Sequence, residues 1–130
     1  MIFIDTNIVI YSLDSSSEKQ LPALACFENG SYLSVQVLNE ARSIFLGKLR
    51  LSHDKVKEML DWVVSKATII DLSLDDYELS WNLLKENKLS HWDSLIVANA
   101  IRHDGTILYS EDMGHGQLIN GQLKIVNPFL

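Results

Sequence analysis

Met1-Ile2-Phe3-Ile4-Asp5-Thr6-Asn7 opens the chain, and its reading decides the fold. An uninterrupted apolar run of this length reads as a strand buried on both faces, as at the centre of a parallel sheet. The run ends on Asp5, and apolar residues resume at once with Ile8, Val9 and Ile10. A carboxylate therefore sits between two buried segments. In open α/β sheets, ligands bind beyond the carboxyl ends of the strands, so Asp5 stands where a ligand-binding group belongs.

The segments that follow alternate. Ser15-Ser16-Ser17 reads as a helix start, with helix to about Asn29 ended by Gly30; Pro22 allows a later start at Leu21. Ser31 to Val35 reads as a second strand. A helix from about Val37 to Leu49 carries an apolar stripe of Val37, Ala41, Ile44 and Phe45, and another runs from about His53 to Ser65. Thr68 to Leu72 is a third strand. Ser73-Leu74-Asp75-Asp76 and Ser90-His91-Trp92-Asp93 both have the capping-box pattern, the second opening a helix to about His103. After the Asp104-Gly105 turn, Thr106 to Ser110 is a fourth strand and Lys124 to Val126 a last one. Asn120-Gly121 signals a hairpin, a small antiparallel addition at an edge. Strands alternating with helices imply a parallel sheet covered on both faces.

Nothing divides the chain, so its 130 residues read as one domain, 1–130. Cys26 is alone, which excludes an intrachain disulfide and suits a reducing, cytoplasmic setting. No apolar run approaches the ~20 residues of a membrane span. A net charge of −6 argues against a protein that holds nucleic acid mainly through a basic surface. It leaves room for an acidic site whose bound cations meet phosphate.

Four acids are candidates for such a site. Glu40 borders the stripe formed by Val37, Ala41 and Ile44, although a first-turn glutamate is also favoured by the helix dipole. Asp93 has Val97 and Ala100 on its own face and no Lys or Arg one turn away, although it also fits a capping box. Asp112 follows the fourth strand, where an Asx-turn is the plainer reading and Glu111 is a neighbouring substitute. Asp5 itself suits an N-cap. Each acid falls just past a strand or near the start of the next helix, and those positions converge on one edge of a parallel sheet. Clustered carboxylates repel one another unless a cation relieves them. Oxygen-only ligation points to Mg²⁺ or Mn²⁺; the four histidines show no zinc spacing.

Five segments in order carry a resemblance. They are Ile4-Asp5-Thr6-Asn7, Ser34 to Glu40, Leu89 to Ala98, Ser110-Glu111-Asp112-Met113 with His115-Gly116, and Ile125 to Phe129. The chain resembles PIN domains, in particular the VapC-type toxins of bacterial toxin–antitoxin pairs, over its whole length. The resemblance implies a three-layer α/β/α fold with a parallel sheet of about five strands in the order 3-2-1-4-5. It implies a metal-dependent endoribonuclease whose acids map onto Asp5, Glu40, Asp93 and Asp112, with Thr6, Asn7 and Ser110 lining the site. It implies Mg²⁺ or Mn²⁺ as cofactor, RNA as substrate and an antitoxin as partner; the apolar Ile44, Phe45 and Leu46 suit that partner or a homodimer. Lys48 and Arg50, at the end of the helix that carries Glu40, are candidates for RNA phosphates, although two solvated helix-end cations are the plainer reading. The rival is a receiver-like signalling domain phosphorylated on Asp71. It leaves Glu40 and Asp93 unexplained and lacks the paired acids such a domain needs after its first strand.

Overall fold

The computed structural model describes residues 1–130. Ile2–Ile4 forms β1, a strand whose Phe3 and Ile4 are fully buried. It lies inside the sheet, paired in parallel with β2 (Ser31–Ser34) on one side and β4 (Ile107–Tyr109) on the other. β3 (Ala67–Ile70) adds to β2, also in parallel. Beyond β4 comes parallel β6 (Leu123–Val126), then antiparallel β5 (Leu118–Ile119) at the edge.

The order is thus β3-β2-β1-β4-β6-β5. The expected 3-2-1-4-5 holds for the parallel strands. The position expected for a fifth strand is taken by β6, because Leu118–Ile119 forms the extra edge strand that the Asn120-Gly121 pair signals. Both turn residues have positive φ, 53° and 64°, as a tight hairpin turn requires.

Helices cover both faces. They are α1 (Thr6–Ser12), α2 (Gln20–Ala25), α3 (Val35–Ser43), α4 (His53–Lys66), α5 (Leu74–Glu86) and α6 (His91–Arg102). Ile4, Ile8, Val9, Leu33, Val37, Val97, Leu108 and Ile125 belong to one continuous buried core. No helix is long and apolar enough to cross a membrane.

The apolar run after Asp5 is a helix, α1: Asp5 has extended backbone and caps it, accepting from the Thr6 N–H. Two local expectations are corrected. Residues 15–19 are turns rather than the start of α2, which is one short segment with Pro22 in its first turn. Val35 begins α3 rather than ending β2, with Ser34 as its cap. After Ser43 the helix continues over Ile44–Lys48 in π form, closed by the Leu49 N–H donating to the Ile44 carbonyl at 3.0 Å.

α5 and α6 are joined by a buried polar knot. The fully buried Asp76 carboxylate accepts from Arg102 Nη1 at 2.8 Å, from Asn99 Nδ2 at 3.0 Å and from the Ser73 backbone N–H at 3.0 Å. A carboxylate this deep is tolerable because each oxygen has a partner. The knot anchors the C-terminal half of α6, whose first turn carries Asp93.

Candidate functional site

Asp5, Glu40, Asp93 and Asp112 line one pocket of about 320 Å³ at the carboxyl edge of the sheet, with Thr6, Asn7, Ile10, Tyr11, Ile44 and Lys48. Each acid arrives on a different segment. Asp5 follows β1, Glu40 stands on α3 after β2, Asp93 lies in the first turn of α6, and Asp112 follows β4. Parallel strands deliver successive loops to one edge, which is why residues more than a hundred positions apart meet.

Asp5 is the fixed member. It is 4% exposed, and its carboxylate accepts from the Thr6 N–H at 2.7 Å, Ser110 Oγ at 2.7 Å and Asn7 Nδ2 at 3.4 Å. Burial pushes its pKa up to about 7. The Ser110 hydroxyl and Thr6 N–H pull the other way, while the like charges of Asp93 and Glu40 add to the rise. Glu40 is half-buried and accepts from Thr6 Oγ1 at 3.3 Å; burial again raises it, with Asp93 contributing. Asp112 is exposed and held by Asn7 Nδ2 at 3.0 Å. Asn7 therefore spans Asp5 and Asp112, and its Oδ1 accepts from the Glu111 N–H at 3.2 Å. Thr6, Asn7 and Ser110 each bond a carboxylate of the pocket.

Asp93 meets two demands at once. Its N–H donates to the Ser90 hydroxyl at 3.1 Å, so Ser90 caps α6. At Ser73 and Asp76 both bonds of the box form. At Ser90 and Asp93 the return bond from the acid to the cap backbone is absent, which leaves the Asp93 carboxylate to the pocket. Its pKa is raised by burial first and by Asp112 as well.

Glu111 is engaged elsewhere. It pairs with Lys19 and accepts from the Tyr11 hydroxyl at 2.8 Å, contacts that hold its pKa below the usual range, the Lys19 bond foremost. Asp112 alone of the two faces the acids. Asp71 lies past the edge strand β3, outside this pocket, with its carbonyl accepting from Asn99 Nδ2.

None of the four acids is ion-paired. Lys48 nonetheless borders the pocket, so a basic residue does stand beside the cluster. Sequence spacing does not place Lys48 at the pocket, because the π segment sets its position and has no clear local signature. Arg50 lies beyond it, outside the pocket. As the side chains stand, no three gather into a ready-made metal cage. The donor set still fits a hard divalent cation: all-oxygen, uncompensated and backed by one rigid, buried carboxylate. Asp5, Glu40, Asp93 and Asp112 are the residues that would hold it.

Comparison with known proteins agrees with this architecture. No curated protein matches the chain by sequence. Among solved structures, a chain of a toxin–antitoxin complex from Klebsiella pneumoniae superposes with TM-score 0.74 at 26% identity, covering 98% of each chain. VapBC2 from Rickettsia felis, bound to a promoter DNA fragment, gives 0.71 at 22%, covering 98% of this chain and 100% of that one. VapC20 of Mycobacterium tuberculosis, described as a toxin cleaving the sarcin-ricin loop, gives 0.71 at 17%, covering 86% and 90%. The PIN domain family model matches residues 2–118, from β1 to the first residue of β5, and the chain belongs to the PIN domain family.

Proposed function

We propose that this PIN domain is a Mg²⁺- or Mn²⁺-dependent endoribonuclease and the toxin of a toxin–antitoxin pair. The observation that carries the reading is the meeting of Asp5, Glu40, Asp93 and Asp112 in one pocket without an ion-pair partner. The toxin–antitoxin complexes among its structural relatives support the biological role.

A divalent ion bound there supplies Lewis-acid polarisation of a phosphodiester and relief of the like charge. The chain's own residues do the rest. Ser110, Asn7 and the Thr6 N–H hold the Asp5 carboxylate in one orientation. Thr6 Oγ1 and Asn7 Nδ2 aim Glu40 and Asp112. Such second contacts fix donor geometry before any ligand arrives. Lys48, exposed at the pocket rim, meets an incoming phosphate without neutralising the acids.

Purified protein incubated with total cellular RNA is expected to cut a subset of species in Mg²⁺ or Mn²⁺ and to stop in EDTA. Undiminished cleavage in EDTA refutes the metal mechanism. Co-expression with the product of the adjacent small reading frame is expected to give a co-purifying complex and relieve growth arrest. A chain that stays toxic and unbound beside that product is no toxin of such a pair.

A further inference from the structure

The acidic pocket is the middle of a longer depression. On one side it shares Asp93 and Asp112 with a pocket bordered by Lys88, Gly114 and Gln117. On the other it shares Glu40 and Ile44 with a pocket of about 480 Å³ whose remaining lining is Gln36, Asn39, Ser43 and Trp92. That second pocket has an unusual lining. Trp92 is 53% exposed, next in sequence to Asp93, and its indole is braced by His91, ring centroids 4.5 Å apart at 69°. With it, α3 exposes the Asn39 amide and the Ser43 hydroxyl, while the Gln36 side chain lines the pocket from a buried position, 7% exposed.

A tryptophan left this open on a helix start is poorly used as core. An aromatic face beside amide donors and acceptors is how proteins hold an unstacked base: the ring stacks, and the amides read the base edge. The volume suits a small planar ligand. Glu40 and Ile44 line both pockets, so a base held there adjoins a backbone lying over the carboxylates.

We infer that the pocket of Gln36, Asn39, Ser43, Ile44 and Trp92 is a nucleobase subsite. It seats one base of a single-stranded RNA whose backbone crosses the acidic cluster, with Trp92 as the stacking platform. The inference rests on the nuclease reading for the identity of its ligand, but its test does not depend on cleavage.

The test measures binding by anisotropy of fluorescein-labelled oligouridine and oligoadenosine of about a dozen nucleotides, the span of one single-strand site. An abasic oligomer of equal length is the control. Ca²⁺ is present, to neutralise the carboxylates without the octahedral geometry of Mg²⁺. Trp92→Ala is expected to weaken binding of at least one base-bearing oligomer by about 5- to 150-fold, the range of one base–aromatic stack. Trp92→Phe, which keeps a π-face, is expected to recover most of that loss. The abasic oligomer is expected to bind all three proteins alike.

Equal affinity of wild type and Trp92→Ala for both base-bearing oligomers overturns the subsite. So does an equal loss in the Ala and Phe variants, or a loss on the abasic control. Normal RNA binding by Trp92→Ala with loss of the antitoxin assigns the pocket to a protein side chain instead, and also overturns it. The two readings fail separately. Trp92-dependent binding of RNA that is never cut leaves the subsite and removes the nuclease; cleavage with Trp92→Ala showing wild-type KM does the reverse.

Discussion

At the residue scale the site is governed by Asp5. Its folded pKa of about 7 exceeds the ordinary 3.8, with burial the main cause. Between those two values the folded protein keeps a proton that the unfolded chain has released. Stability from this group therefore falls as pH rises through that window and is flat on either side. Asp5→Asn removes the effect, so in EDTA the variant's Tm is expected to gain on wild type from pH 4.5 to 7.5. A constant difference contradicts the assignment. Metal binding needs the ionised form, so Mn²⁺ affinity is expected to drop by about tenfold per pH unit below 7 and level off above it. Calorimetric titrations at pH 5.5, 6.5 and 7.5 check this. Lys48 is tested by salt. If it meets phosphate, Lys48→Ala weakens RNA binding across sequences and lowers the salt slope by about 1. An unchanged slope leaves it a solvated helix-end cation. Asp5 and Asp93 are legible from sequence because each follows a strand or opens a helix on its apolar side. The Lys19–Glu111 pair is not, because its partners are 92 positions apart and only the fold joins them.

At the element scale the central strand and the two capping-box helices read directly, since burial on both faces and a cap pattern are local signals. The unread elements depend on context. Ile8-Val9-Ile10 has β-branched character, yet it forms α1 because Asp5 caps it and Ile8 and Val9 bury completely. The π segment at Ile44–Lys48 inserts an irregularity that periodicity does not forecast, and such bulges often sit at functional sites. Gly105 shows the tightest local fit. A Cβ there would stand 2.7 Å from the Ala100 carbonyl oxygen and 3.0 Å from Phe3 Cδ2. Its N–H donates to that same carbonyl at 2.7 Å, and its own carbonyl accepts from Gln122 Nε2 at 3.0 Å. Neither backbone nor buried ring can yield cheaply. Gly105→Ala is expected to cost about 1–3 kcal/mol, the usual range for overpacking. A denaturant midpoint equal to wild type would show that the α6–β4 turn relaxes freely.

At the scale of the whole molecule, electrostatics are the weak point of the metal-free fold. The chain carries −6 overall and gathers four acids at one edge. Asp93 shows the balance most clearly, because its N–H serves the helix cap while its carboxylate serves the pocket. Asp93→Asn keeps the shape and the capped N–H and removes one like charge. In EDTA the variant is therefore expected to melt at or above the wild-type temperature. Mn²⁺ at a hundredfold excess over its Kd is expected to stabilise the wild type by about 2.7 kcal/mol, since only the folded state assembles the donors. For a domain of this size that is on the order of 10 °C in Tm. The variant is expected to lose most of that gain, together with RNA cleavage. A purely structural Asp93 predicts otherwise: a slight loss of stability with or without metal, and intact cleavage. Thermal melts of both proteins in EDTA and in Mn²⁺ separate the two. An equal Mn²⁺ shift would take Asp93 out of the metal site and leave Asp5, Glu40 and Asp112 to hold the ion.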